Sequence, residues 1–243
     1  MEKRIAAFFD IDGTIFRSSL LVEHFKYLSN ENFITSSAWE KKVLPLYNKY
    51  TNREGLFETY LDTAAIEYAK AIEGMDIKFL KTTAKTVTKE MNKQTYKTTT
   101  QAIDNHKDKG HLVFFISGSP DFLVEPFSTH FPIDKCYASI YQVENKKFNG
   151  KIKPMWDSKS KRETINNLVE KYNIDLSKSY AYGDTKGDLS MLEMVGKPRL
   201  VNPSYSLLEI TKSNNMKGKV LVERKDITYT LDIDKIMFKK IYQ

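Results

Sequence analysis

A chain of 243 residues, 41% hydrophobic and 28% charged, can bury a substantial core, which excludes a disordered or low-complexity protein. Its single cysteine, Cys136, excludes an internal disulfide, and no apolar run approaches the roughly 18 residues of a membrane span. The net charge of +7 is compatible with an anionic partner, but a lysine-rich composition is the simpler explanation. We therefore expect a cytoplasmic protein without a membrane span or a nucleic-acid partner.

The first predicted element is a short apolar strand, "KRIAAFF", and two carboxylates follow it in "DIDGT". Burying an unpaired charge is costly, so Asp10 and Asp12 need a chemical reason to lie beside a buried strand. Taken alone, "DIDGT" is also compatible with a calcium-binding or turn motif. The later strands decide between these interpretations.

The region from residue 17 to residue 91 lacks strand-like runs and is rich in helix formers and aromatic residues, as in "LFETYLDTAAIEYAKAI". We interpret it as a helical insertion after the first strand. Lysines recur there at every fourth position, which on a helix forms a basic stripe: Lys81, Lys85, Lys89, Lys93 and Lys97. A solvated face explains this stripe, and an anionic partner is the alternative.

Two further strand-length runs repeat the design of the first. "HLVFFISGSP" continues into Ser117 and Gly118, and "SYAYGDTKGD" continues into Asp184. Near-continuous apolar strands are typical of a parallel sheet covered on both faces, and function gathers beyond the carboxyl ends of such strands. The sequence thus predicts one crevice that holds these residues together with Asp10 and Asp12.

The connecting segments complete an α/β pattern. Pro120 can begin the helix of "PDFLVEPFSTHF", which Pro126 should interrupt or end early. A β-hairpin is predicted for "YQVENKKFNGKIK", helices for "KTTTQAIDNHKDKG", "SKSKRETINNLVEKYNI" and "GDLSMLEMVGK", and a last core strand for "PRLVNPS". The predicted fold is a Rossmann-like parallel sheet core with an inserted α-helical cap domain.

Several carboxylates in one crevice repel one another unless a cation neutralises them. Oxygen ligands without nearby histidine or cysteine favour Mg²⁺, which combines one or two carboxylates with phosphate oxygens. A carboxylate that faces a metal-bound phosphate can attack it and form an aspartyl-phosphate, while a second carboxylate transfers protons. A lysine and a hydroxyl would stabilise the phosphoryl oxygens. This chemistry answers why both aspartates follow the first strand.

These motifs resemble those of the haloacid dehalogenase superfamily of phosphohydrolases, in particular its phosphoserine phosphatase-like branch. The resemblance of "DIDGT" implies that Asp10 is the nucleophile, Asp12 the general acid and base, and Thr14 a hydroxyl that binds the substrate phosphate. The resemblance of "FFISGS" implies that Ser117 and the main chain of Gly118 also bind the phosphate.

The remaining motifs supply the metal site and a lysine. By resemblance, "GDTKGD" implies that Asp184 binds Mg²⁺ together with Asp10 and the main-chain carbonyl of Asp12, with Asp188 behind them. Either Lys159 or Lys161 can supply the motif lysine, and the spacing in this branch favours Lys161 as the catalytic and phosphate-binding residue.

One departure from the branch concerns the substrate. Phosphoserine phosphatases carry an acidic residue shortly after the first motif for the ammonium group of the substrate. The matching position here is Ser19, and the nearest acidic residue is Glu23. We therefore expect a small phosphorylated metabolite as substrate, without a marked preference for phosphoserine.

The sequence thus predicts a Rossmann-like hydrolase core, residues 1–16 and 92–243, with a helical cap at residues 17–91. Its predicted function is that of a Mg²⁺-dependent phosphomonoester phosphatase. A phosphotransferase, which passes the phosphoryl group to an acceptor other than water, is the first alternative. A non-catalytic anion-binding module that uses the lysine stripe is the second.

Overall fold

Strands and helices alternate along most of the chain, as predicted for an α/β protein. The computed structural model describes residues 2–241. The strands are β1 (Ala6–Phe9), β2 (Leu112–Pro120), β3 (Lys135–Glu144), β4 (Lys147–Lys153), β5 (Tyr180–Gly183), β6 (Lys197–Val201), β7 (Lys219–Arg224) and β8 (Ile227–Asp232). The α-helices are α1 (Leu20–Asn30), α2 (Ser36–Ala38), α3 (Leu44–Thr51), α4 (Phe57–Ile72), α5 (Ile77–Met91), α6 (Lys97–Asp108), α7 (Asp121–Ser128), α8 (Ser158–Tyr172), α9 (Leu189–Met194) and α10 (Tyr205–Ser213). A π-helical segment at Trp39–Val43 and 3₁₀ turns at Leu176–Lys178 and Lys186–Asp188 complete the assignment.

All eight strands form one sheet in the order β4-β3-β2-β1-β5-β6-β7-β8. From β3 to β7 the neighbouring strands are parallel, and β4 and β8 pair antiparallel at the two edges. The chain builds outward from β1 in one direction through β2 and β3, and in the other through β5, β6 and β7. This reversal opens a crevice at the carboxyl ends of β1, β2 and β5, where ligands bind in sheets of this kind.

Both faces of the sheet are covered, which explains the near-continuous apolar strands. Side chains alternate between the faces, so that Phe9 and Phe115 belong to one buried cluster while Phe8 and Phe114 belong to the other. Each of these four rings is fully buried. Burial on both faces of the sheet therefore fixes the registers of β1 and β2, because a slip of one residue would move the side chains of each cluster to the opposite face.

Residues 17–91 contain helices and turns and no strand, apart from an isolated β-bridge between Asp76 and Lys147. Their apolar side chains join the cluster on one face of the sheet: Phe25 of α1 and Tyr68 of α4 share it with Phe122 of α7 and with Tyr141 and Phe148 of the β3–β4 hairpin. The ring of Tyr68 lies 5.6 Å from that of Phe25 and 6.4 Å from that of Tyr141, between centroids. The division into a core and a cap at residues 16/17 and 91/92 stays a prediction.

Two local expectations changed. Pro120 precedes α7 instead of opening it, and β2 extends through Ser117 and Gly118 to Pro120. Pro126 lies inside α7 and does not interrupt it, because the helix is so short that only its last residues follow the proline. Strands β7 and β8 extend the sheet beyond β6, which the sequence predicted to be the last core strand.

Within residues 2–241, no helix is both long enough and apolar enough to cross a bilayer.

Candidate active site

Three aspartates converge at the carboxyl ends of β1 and β5. Asp10 directly follows β1, Asp184 directly follows β5, and Asp188 ends the 3₁₀ turn after Asp184. One carboxylate oxygen from each lies within 4.8 Å of those of the other two, and all three residues are buried. This cluster, which we call the aspartate trio, could hold a divalent cation, since its donors are hard oxygen atoms.

Lys161 is the lysine that enters this site. Its Nζ lies 2.7 Å from Oδ1 of Asp10 and 2.5 Å from Oδ1 of Asp188, and only 2% of the residue is exposed. In α8 it shares the buried face with Ile165 and Leu168, four and seven positions further along the helix. Lys159 is exposed, because it lies out of phase with that face.

Burial and mutual repulsion make the carboxylates of the trio hard to ionise, and Lys161 compensates for this only in part. Burial raises the pKa of Asp10 well above its usual range, and Asp188 and Asp12 add to the rise, although Lys161 opposes it. Burial and the neighbouring carboxylates likewise raise the pKa of Asp184. For Lys161, burial lowers the pKa, but Asp10 and Asp188 outweigh it and raise the pKa overall. A bound divalent cation would supply the remaining compensation.

Asp12 lies beside the trio but has different partners. Its Oδ1 accepts the N–H of Leu20 at 2.6 Å, and its Oδ2 accepts the hydroxyl of Ser119 at 2.6 Å. The hydroxyl of Ser117 lies 3.4 Å from the same Oδ2. Burial raises the pKa of Asp12, and these hydrogen bonds partly offset the rise. A carboxyl group in this environment is suited to exchange protons.

The turn after β1 requires a glycine. Gly13 has a φ of +80°, and a Cβ at this position would lie 2.1 Å from Oδ2 of Asp184. The hydroxyl of Thr14 is fully buried and donates to Oδ1 of Asp184 at 3.2 Å. Thr14 thus orients one member of the trio, and its binding of a phosphate stays a prediction.

The loop after β5 is held in place by the carboxylate of Asp188, which lies within that loop. Oδ2 of Asp188 accepts the N–H groups of Asp184 and Thr185, both at 3.1 Å, while its Oδ1 pairs with Lys161. Gly187 allows close packing there, since a Cβ would lie 2.7 Å from the carbonyl oxygen of Trp156. Asp188 is therefore fixed on both oxygens.

Lys159, the alternative motif lysine, is exposed, while the other nominated residues lie at or beside the carboxyl ends of β1, β2 and β5: Asp10, Asp12, Thr14, Ser117, Gly118, Lys161, Asp184 and Asp188. Sequence reasoning missed Ser119, which binds Asp12, and Ser139, whose hydroxyl donates to the carbonyl of Gly118 at 2.7 Å. Ser119 follows Ser117 by two residues, but this spacing does not identify Asp12 as its partner, because the contact depends on the shifted pairing of β2 with β3.

Glu23 lies in α1 near the site, with a side chain that is only 19% exposed. Its Oε1 accepts from the hydroxyl of Ser18 at 2.8 Å and pairs with Nζ of Lys26 at 3.1 Å. The charge of Glu23 is therefore already balanced. The lysines of the predicted stripe, from Lys81 to Lys97, are all exposed.

The chain is similar to known hydrolases and phosphatases. A family model described as haloacid dehalogenase-like hydrolase matches residues 7–193. An inhibition of morphological differentiation protein of Streptomyces azureus is 27% identical over 211 residues, which cover 84% of this chain and 74% of the relative. A probable phosphatase of Mycobacterium tuberculosis is 25% identical over 84% of this chain and 71% of its own length.

The fold also matches a solved structure. A phosphoserine phosphatase with a phospho-aspartyl intermediate analogue superimposes with a TM-score of 0.63, over 93% of this chain and 96% of that one, at 18% identity. At this level of identity, the likeness shows a common fold.

We predict that Lys161→Met destabilises the metal-free protein by about 3–5 kcal/mol at pH 8, because it leaves buried carboxylates without a counter-charge. Urea unfolding in EDTA measures this loss, and the exposed Lys159→Met should change the free energy of unfolding by less than about 0.5 kcal/mol. Because the pKa values of Asp10 and Asp184 are raised, lowering the pH protonates these carboxylates more readily than exposed ones, and the loss of stability in Lys161→Met relative to the native protein should become smaller. Equal changes in the free energy of unfolding in the two variants would contradict the assignment of Lys161 as the lysine that neutralises the buried carboxylates.

Proposed function

Because this chain belongs to the haloacid dehalogenase-like hydrolase family, we propose that it is a phosphatase that hydrolyses small phosphate monoesters through an aspartyl-phosphate at Asp10. The observation that carries the proposal is the contact of 2.7 Å between Asp10 and the buried Lys161, within the aspartate trio. A nucleophilic carboxylate needs a neighbouring positive charge to approach an anionic phosphate.

In the first step, a carboxylate oxygen of Asp10 attacks phosphorus, and the bond from phosphorus to the leaving oxygen breaks. The Asp12 carboxyl group gives its proton to that oxygen, so the product leaves as an alcohol. Lys161 and the hydroxyl of Ser117 donate to the phosphoryl oxygens, with the N–H of Gly118 as a third donor.

In the second step, water attacks the phosphorus of the aspartyl-phosphate. Asp12, now a carboxylate, accepts the proton of that water, and the bond between phosphorus and the Asp10 oxygen breaks. Inorganic phosphate leaves, and Asp10 returns as a carboxylate while Asp12 is protonated again. One aspartate thus forms the covalent bond, and the other carries the proton in both directions.

The proposal includes Mg²⁺, held by Asp10, Asp184 and the main-chain carbonyl of Asp12, with Asp188 behind them. The donor set supports it, because the trio is buried, lacks sulphur and nitrogen donors and is compensated only in part by Lys161. When bound, Mg²⁺ would neutralise the charge of the trio and of the phosphate. Thr14 supports this role of Asp184 through its hydrogen bond to Oδ1.

The names of related proteins support the same reaction class. The Mycobacterium tuberculosis relative is called a probable phosphatase, and the solved structure with the same fold carries an analogue of a phospho-aspartyl intermediate. The proposed substrate is a small phosphorylated metabolite. Pairing of Glu23 with Lys26 argues against a site tuned to the ammonium group of phosphoserine.

We predict that Asp10→Asn abolishes release of phosphate from 4-nitrophenyl phosphate, since the amide cannot form the acyl phosphate. The native protein should bind beryllofluoride at Asp10, and the variant should not. Far-UV circular dichroism checks that both proteins are folded. Activity of the variant close to that of the native protein would remove Asp10 from this role.

Transfer of the phosphoryl group to added alcohols in preference to water would favour the alternative function, that of a phosphotransferase.

We predict that EDTA abolishes activity and that Mg²⁺ restores it, whereas Ca²⁺ restores little because its coordination is looser and larger. Isothermal titration of the EDTA-treated protein should detect Mg²⁺ binding that Asp184→Ala weakens by at least about tenfold. Asp62→Ala, on the exposed side of α4, is the matched control. Unchanged Mg²⁺ affinity in Asp184→Ala would contradict the ligand assignment.

We predict that phosphoserine is hydrolysed no better than ethyl phosphate or glycerol phosphate, because Glu23 is already neutralised by Lys26. A comparison of kcat/KM across these esters measures the preference, and Glu23→Gln should not change their ranking. A hundredfold preference for phosphoserine, about 3 kcal/mol of discrimination, that disappears in Glu23→Gln would show that Glu23 binds the ammonium group after all.

A further inference from the structure

Asp12 is held at both carboxylate oxygens, and one of its partners, Ser119, is a residue to which the sequence motifs gave no role. The N–H of Leu20 donates to Oδ1, and the hydroxyl of Ser119 donates to Oδ2, each at 2.6 Å. The hydroxyl of Ser117 is farther from Oδ2, at 3.4 Å. Ser119 therefore makes the shortest side-chain hydrogen bond to the proposed general acid.

Ser119 is itself fixed in place. Only 3% of the residue is exposed, and its N–H donates to Oγ of Ser117 at 3.1 Å. It precedes Pro120, which disfavours a helical backbone at the residue before it. The pairing of β2 with β3 also shifts between Ile116 and Pro120, and such irregularities re-aim the side chains of a strand. The local structure thus holds the hydroxyl of Ser119 towards Asp12.

The two partners of Asp12 differ in chemistry. The N–H of Leu20, the first residue of α1, can only donate, so it favours an unprotonated Oδ1. A serine hydroxyl can donate or accept. Here it donates to one lone pair of Oδ2, and the other lone pair of that oxygen can carry the proton that Asp12 gives to the leaving oxygen. The Ser119 bond can persist through the change in protonation that Asp12 undergoes.

We propose that Ser119 is a positioning residue that keeps the Asp12 carboxyl group in one orientation before and after it gives its proton to the leaving oxygen. This inference rests on the proposed function, in which the bond from phosphorus to the leaving oxygen breaks as that proton moves. Ser119 acts through Asp12 and needs no contact with the phosphate. Its removal should therefore matter most where the leaving group needs the proton.

The test is the dependence of kcat/KM on the leaving group. Phenyl phosphate needs protonation of its leaving oxygen far more than 4-nitrophenyl phosphate does. Ser119→Ala should lower kcat/KM for phenyl phosphate by about 10- to 100-fold, within the range that general acid catalysis contributes. The loss for 4-nitrophenyl phosphate should be at least about tenfold smaller. Since kcat/KM covers the steps up to departure of the leaving group, breakdown of the aspartyl-phosphate does not affect it.

Three variants make the comparison specific. Ser119→Cys is nearly isosteric but has a weak donor, so it should shift the leaving-group dependence in the same direction. Asp12→Asn removes the proton donor and should give the steepest dependence. Ser128→Ala removes another buried serine hydroxyl, at the far end of α7, and should leave both constants unchanged.

An equal loss on both esters in Ser119→Ala and Ser119→Cys would overturn the inference, because it would indicate a role in phosphate binding or folding. Unchanged constants in both variants would overturn it too. Either result leaves the proposed function intact as long as the native protein hydrolyses both esters and Asp10→Asn does not. If the native protein hydrolyses neither ester, the proposed function fails, and this inference fails with it.

Discussion

The site depends on two buried ion pairs that share one lysine, since Lys161 contacts Asp10 at 2.7 Å and Asp188 at 2.5 Å. Removing these charges from water costs several kcal/mol for each ion, and the attraction repays this only where the geometry and the remaining hydrogen bonds are good. With Asp184 in the same cluster, a single lysine faces more than one carboxylate. The surrounding structure therefore has to supply further donors or a cation, and many of its features meet this need.

Main-chain and hydroxyl donors supply part of that compensation. Asp188 accepts two N–H groups of its own loop, Asp184 accepts the hydroxyl of Thr14, and Asp12 accepts the first N–H of α1. These contacts require close approach of the backbone. This explains why position 13 is a glycine, since any Cβ there would overlap Asp184. The strand ends bring the charges together, and the loops between them carry the donors that make the burial tolerable.

Residues whose position follows from adjacency to an apolar strand could be placed from the sequence, and Asp10, Asp12 and Asp184 are of this kind, while their roles stay predictions. Lys161 could also be separated from Lys159 by helical phase, because only Lys161 lies on the face of Ile165 and Leu168. Ser119 could not be assigned, since its contact depends on how β2 departs from regular pairing with β3. The strands β7 and β8 were missed because β8 is exposed along nearly all its length and lacks a buried apolar face.

Asp12 also connects the two parts of the chain that the sequence separates. One carboxylate oxygen binds Ser119 of β2, in the sheet, and the other binds Leu20, at the start of the helical insertion. The insertion in turn packs against the sheet through Phe25, Tyr68 and Tyr141 in a single apolar cluster. A shift of α1 relative to β2 would therefore change the orientation of the proposed general acid directly. In the proposed mechanism, the insertion would thus help to orient the proton donor through this contact.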